Sequence, residues 1–210
     1  MSNPNLQHPE LAGVEVHGIS RASFIMRGAL AAGAAYGAGA VAPFVSSAFA
    51  AGGSGDVEIL NFALTLEYLE TDFYKVKGRT VGLSAEARAL ASSFGDEEAE
   101  HVAALTKAIG AAGGKPVAKP TFAFPVSSAA GFLKLAYVLE NTGVGAYNGA
   151  GPSLVNKQYL AAAGSIVQVE ARHAAAIALL IGSPVTPDGA FDKPLSKTQV
   201  LTKAGPLIKK

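Results

Sequence analysis

The chain has 210 residues, half of them apolar and 16% charged, which is enough for one well-cored domain. A net charge of +1 excludes the broad basic field of a nucleic-acid binder. The absence of cysteine excludes disulfide staples, iron–sulfur clusters and thiolate zinc sites, so any metal must be held by His, Asp or Glu, a donor set that suits iron, manganese or zinc.

Residues 1–50 read as a leader. Arg21 and Arg27 precede the charge-free run "GALAAGAAYGAGAVAPFVSSAFA", and Ala48-Phe49-Ala50 fits the small-x-small rule of a signal peptidase site. "SRASFIMRGALAAG" resembles a twin-arginine signal with Ser20, Arg21 and Phe24 in place, but Ala22 stands where that motif has its second arginine. The expectation is export to a periplasmic or extracellular space, with residues 51–182 as the folded domain and 183–210 as a tail. An uncleaved membrane anchor is the other reading of this run, weakened by its Ala and Gly content and by Pro43. His8 and His17 lie in the leader and receive no role.

Asp56 can cap a first helix through "VEILNFALTLEYLETDFYKVK", where Ile59, Phe62, Leu66, Leu69 and Phe73 recur at helical spacing. Ser84 can cap a second, "AEARALASSFGDEEAEHVAALTKAIGAA", stopped by Gly113-Gly114 and Pro116. The Pro-bearing stretch "GGKPVAKPTFAFPVSS" is long for a hairpin loop and suits a crossover between two helix pairs. A third helix is expected over about 128–147 and a fourth over about 153–181, ended by Gly182 and Pro184. Gly143, Gly145, Gly149 and Gly151 predict a third helix that loosens or ends there and opens a route to the interior, since each internal glycine costs a helix about 1 kcal/mol. The fold class is therefore all-α: a four-helix bundle with a long crossover and an irregular C-terminal tail.

The two halves repeat. "LEYLETDFY" at 66–74 aligns with "LENTGVGAY" at 139–147, an offset of 73 residues, and "EAEHVAALTKAIG" at 98–110 aligns with "EARHAAAIALLIG" at 170–182, an offset of 72. Glu67 matches Glu140, Tyr74 matches Tyr147, Glu98 matches Glu170 and His101 matches His173. Such a repeat implies two helical hairpins related by a pseudo-two-fold axis. Residues three apart share a helix face, so each Glu-x-x-His pair points one way. With one glutamate from each of the other two helices, this is the arrangement that two-metal carboxylate sites use in bundles. Charge supports it: two divalent ions neutralise four carboxylates that an apolar core would not otherwise tolerate. The third and fourth helices are nearly free of other charge; between Val126 and Asn156 only Lys134 and Glu140 are charged. The candidate metal ligands are Glu67, Glu98, His101, Glu140, Glu170 and His173, with no catalytic group beyond them. Tyr74, Tyr147 and Glu70 are candidates to support those ligands, the two phenols having core packing as their simpler role. Glu97 and Glu100 read as a solvated face, and Arg172 as either a carboxylate partner or a surface cation.

"LNFALTLEYLETDFY", the "EAEH" of the second helix and the "VEARH" of the fourth resemble the ferritin-like superfamily over roughly residues 56–182. More narrowly they are similar to its exported members, which include the desiccation-related family. That resemblance implies two metal ions, iron first and manganese second, at the six positions above. It also implies redox chemistry towards oxygen or peroxide, as a ferroxidase or a peroxide-dismutating, catalase-like enzyme in oxidative stress. A homo-oligomer is compatible with it, and membrane contact is expected only through an uncleaved leader. The alternative is a non-catalytic helical module in envelope stress or desiccation protection, with the tail and "TFAFPV" supplying partner contacts.

Overall fold

The computed structural model describes residues 54–209; the expected leader, with His8, His17, Arg21 and the 48–50 cleavage site, lies outside the described residues. Four long helices form the body: α1 (Ser54–Lys75), α2 (Ala85–Ala111), α3 (Ala129–Ala150) and α4 (Lys157–Ile181). A short α5 (Lys197–Ala204) follows in the tail. α1 packs on α2 and α3 on α4 as two antiparallel hairpins, and the pairs close against one another through α1 with α3 and α2 with α4. Among the described residues the one β contact is an isolated bridge between Phe122 and Ile208.

The helix ends obey local chemistry. Ser84 accepts from the Ala87 amide, Ser128 from Gly131 and Asn156 from Gln158, each serving a donor that the first turn leaves free. Gly182 closes α4 in the left-handed region with φ 65°, where a side chain would be strained. α4 starts later than expected, because Gly151–Ser153 forms a separate 3₁₀ turn before Asn156 caps the helix. Asp56 does not cap α1, which begins before it. Its carboxylate, 1% exposed, instead accepts the amides of Val155 and Asn156 at 2.9 Å each. The start of α1 is thereby fastened to the α3–α4 connection.

The crossover runs along α1. Asn61 accepts the Val117 amide at 2.6 Å and donates to the Lys115 carbonyl, and Lys119 pairs with Asp72 at 2.5 Å. A connection that must travel from one end of a bundle to the other needs this length. Phe124 meets Phe73 edge-on, and Phe122 is drawn against the chain end by hydrogen bonds from Ala123 to Leu207 and from Lys209 to Thr121. "TFAFPV" is thus part of the packed body, half-buried rather than displayed.

The glycine-bearing part of α3 neither loosens nor ends; the helix continues to Ala150. A Cβ on Gly145 would lie 2.6 Å from the Leu195 side chain, and one on Gly149 would strike the Leu195 backbone. The Leu195 amide donates to the Gly145 carbonyl at 2.8 Å. The missing side chains therefore admit the tail onto the helix. The segment 183–210 is irregular only in its first half: α5 follows, begun by a capping box between Ser196 and Gln199, and buries Val200 and Ala204 in the core.

The interior consists of two apolar clusters. One holds Leu69, Phe73, Phe94, Phe132, Leu139 and the tail residues Val200 and Leu207; the other holds Leu60, Leu64, Leu105, Ile109, Tyr159 and Ile166. A layer of buried charge lies between them.

Replacing Asp56 with alanine removes the charged acceptor of two part-buried amide hydrogen bonds. It is expected to lower unfolding free energy by about 2–4 kcal/mol, whereas Glu58→Ala, which breaks only an exposed pair with Lys197, should cost less than about 1 kcal/mol. Urea titrations of both variants measure the difference; equal losses would remove Asp56 as the tie.

Candidate metal centre

Each long helix delivers one carboxylate to the charged layer. Glu67 on α1, Glu98 on α2, Glu140 on α3 and Glu170 on α4 are all 0% exposed, and His173 is 2% exposed. His101 is slightly more open, with 12% of its side chain accessible. All six residues expected to share a site are together.

Their donor atoms form two overlapping sets. Glu67, Glu98, His101 and Glu170 offer one atom each within 4.8 Å of one another, and so do Glu98, Glu140, Glu170 and His173. Glu98 and Glu170 belong to both. Each set is completed by a Glu–His pair from one hairpin: Glu67 with His101, or Glu140 with His173.

Both imidazoles turn Nδ1 inward. His101 Nδ1 lies 2.9 Å from Glu98, 3.2 Å from Glu67 and 3.3 Å from Glu170. His173 Nδ1 lies 2.9 Å from Glu98 and 3.3 Å from Glu140. On its outer side His173 Nε2 meets Glu97 Oε2 at 2.5 Å, and the ring stacks on Phe94 with centroids 4.0 Å apart. Glu97 is therefore more than a solvated face. It is 45% exposed, yet it fixes the imidazole orientation by taking the outer N–H, as carboxylates do for metal-binding histidines. The position related to Glu97 by the repeat is Val169. Sequence spacing missed this contact because it joins two helices, and no repeat signal marks it. Glu100 and Arg172 are exposed, the latter donating to the Gln168 carbonyl of its own helix.

The tyrosines serve the carboxylates crosswise. Tyr74 of α1 donates to Glu140 of α3, and Tyr147 of α3 donates to Glu67 of α1. Glu70 is also buried, at 4%, but belongs to neither donor set. It shares with Glu170 a space made by Gly143: a Cβ there would lie 2.8 Å from Glu170 Oε2 and 3.5 Å from Glu70 Oε1. The repeat places Gly143 opposite Glu70, so one half carries a carboxylate where the other leaves room for it.

Burial drives the electrostatics. It pushes the carboxyl of Glu67 up to about 8, against the hydrogen bond from His101. It also raises Glu140, and it raises Glu70 and Glu170 well above the usual range, with neighbouring carboxylates adding to the effect in each case. Glu98 feels the same burial, but hydrogen bonds from both imidazoles outweigh it and hold it at about 2. Burial would lower the imidazoles; their carboxylate partners reverse this, raising His173 to about 11 and His101 well above its ordinary value. Even so the layer is not satisfied. Glu98 Oε1, Glu140 Oε2, both oxygens of Glu170 and His173 Nδ1 are buried without a well-aligned hydrogen bond, although all but Glu170 Oε2 lie 2.9–3.3 Å from a carboxylate or imidazole partner. All five belong to residues of the two donor sets. Buried carboxylate oxygens grouped with inward imidazole nitrogens fit a hard or borderline cation.

The model of the ferritin-like domain family matches residues 55–183. No curated protein matches the chain.

Without metal the layer ties stability to pH. Glu67, Glu70, Glu140 and Glu170 have folded pKa values above 4.5, so each stabilises fully below 4.5 and loses that contribution as pH rises through its folded value, about 8 for Glu67. The imidazoles have the same sign, starting at 6.5, while Glu98, held at about 2, contributes a constant amount above 4.5. The melting temperature of the metal-free chain is expected to fall steadily from about pH 5 to about pH 8, with saturating Mn²⁺ flattening the slope because metal displaces those protons. Thermal melts across that range check it; parallel slopes with and without metal would contradict the charge layer described.

Proposed function

The chain belongs to the ferritin-like domain family, and on that footing we propose that its buried layer holds two metal ions, iron or manganese, for redox chemistry with oxygen or peroxide. The observation that carries this reading is the pair of donor sets sharing Glu98 and Glu170, with their orphaned inward atoms. The ligands are Glu67, Glu98, His101, Glu140, Glu170 and His173. Bound there, a pair of redox-active ions supplies one-electron steps toward an oxygen-based oxidant. The protein's part is to hold charge and geometry. Four carboxylates would balance the charge of two divalent ions, Tyr74 and Tyr147 fix the outer carboxylates, and Glu97 fixes His173 with Nδ1 inward. The flanking apolar clusters keep bulk water away, which strengthens every one of these interactions.

Metal analysis of chain purified without chelator is expected to give about two redox ions per chain, with Fe²⁺ oxidation or peroxide consumption. Glu98→Ala combined with Glu170→Ala removes both shared carboxylates and should abolish binding. Glu97→Ala removes only the outer partner of His173 and should weaken affinity by about 10–100-fold. Folded wild-type chain that takes up no metal would instead favour the non-catalytic module.

Export of the domain is also proposed, on the leader pattern of residues 1–50. N-terminal sequencing of the protein recovered from its native compartment should begin at Ala51; a retained Met1 in a cytosolic fraction would refute it.

A further inference from the structure

We infer that an apolar cavity at one end of the bundle is a binding site for dioxygen, and that Tyr147 forms its wall toward the buried carboxylates. The inference rests on the two-metal reading for its purpose, but not for its geometry. The cavity measures about 40 Å³, is partly open, and is lined by Leu60, Leu66, Leu105, Tyr147, Ala163 and Ile166 among others.

Three observations select the occupant. The first is size. A cavity of about 150 Å³ lined by aliphatic side chains takes up benzene; this one is far smaller, so a diatomic molecule or a xenon atom fits and a hydrocarbon chain does not. The second is polarity. Aliphatic walls dominate and the Tyr147 hydroxyl is already committed to Glu67. Water needs two to four partners to stay in such a space, and peroxide, being polar, is disfavoured for the same reason. The third is position. Tyr147 and Leu66 border the cavity, Glu67 follows Leu66 in the chain, and Tyr147 touches Glu67 directly.

The cavity also has an approach. Phe62, Ala146 and Ala150 line both it and a second gap beneath the tail at Leu195–Lys197. Lys197 borders that gap, making an exposed pair with Glu58 at 3.0 Å and sitting 5.4 Å from the Phe62 ring centre. A groove between α2 and α4, at the layer's own His101 and His173, differs in kind: Glu97, Glu100 and Arg172 also line it. Charged and hydrogen-bonding solutes suit that groove, and apolar gas suits the cavity.

Xenon is the probe. In full-length chain labelled at methyl carbons, xenon pressure should shift the resonances of Leu60, Leu105 and Ile166 saturably. Ala163→Val, which adds two methyl groups to the wall, should abolish those shifts. Ala104→Val is the second filling variant should the first fail to fold. In metal-loaded protein the filling variant should raise the KM for dioxygen several-fold and leave that for peroxide unchanged. Three results overturn the inference: no saturable shift in wild type, shifts that survive in the folded filling variants, or displacement of xenon by a medium-chain fatty acid. Xenon binding with no metal uptake would sink the two-metal reading and keep the cavity; metal uptake without xenon binding would do the reverse.

Discussion

A carboxylate removed from water must find positive charge or take up a proton, and four of them at one level of an apolar bundle govern the rest of this structure. Two imidazoles supply at most two positive charges. They satisfy Glu98 well enough to hold its carboxyl at about 2, but Glu67, Glu140 and Glu170 are all raised. The protein alone thus divides its carboxylates into one that is stabilised and several that are not. The orphaned oxygens lie on the second kind as well as on Glu98. Bound cations would remove the conflict at these atoms together, which no single hydrogen bond from a neighbouring side chain does. The apolar clusters on either side set the severity of the problem, because they deny the layer water.

The repeat accounts for the layer's symmetry, and its exceptions account for its polarity. Tyr74 and Tyr147 reach across to the carboxylate of the other hairpin, so each half supports the other's ligand. Neither hairpin would hold its glutamate in place alone. Two positions then break the relation. Glu97 grips His173, while Val169 stands at the related place near His101. Glu70 occupies space that Gly143 provides. The two donor sets are consequently alike in composition but unequal in surroundings. His173 is clamped between Phe94 and Glu97; His101 is more open to solvent.

Local rules made much of this readable from the chain. Helical spacing, the Ser84 cap and the Gly182 stop depend on a few neighbouring residues, and all stand as expected. The six-residue constellation was legible because a repeat reports tertiary proximity indirectly: side chains at matching offsets on like helices must meet at the pseudo-two-fold axis. What escaped depends on contacts between distant segments. Asp56 looks like a cap in sequence, but its carboxylate serves amides about a hundred residues away. Glu97 looks, with Glu100, like part of a solvated face, and only the packing of α2 against α4 gives it a partner. The glycines of α3 carry the most instructive error. Propensity assigns them a cost, and only the tail's path reveals what offsets it.

That path has a further consequence for the bundle. Gly145 and Gly149 let Leu195 reach the backbone of α3, where its amide finds the Gly145 carbonyl. A larger residue at either position would lift the tail from the helix. The same strap covers the gap beside Phe62, Ala146 and Ala150, so its seating also governs how closely the apolar end of the bundle is shut. Closing that end with a segment that lies across the helices leaves room beneath it that interdigitated side chains would have filled. The buried carboxylates require a dry interior, whereas an oxidant requires a way in. The gap beneath the strap is mixed in character, lined by Glu58, Ser153, Ser196 and Lys197 as well as by Phe62, Ala146 and Ala150, so it is the apolar cavity behind it that would exclude water by polarity while admitting a small apolar molecule by size.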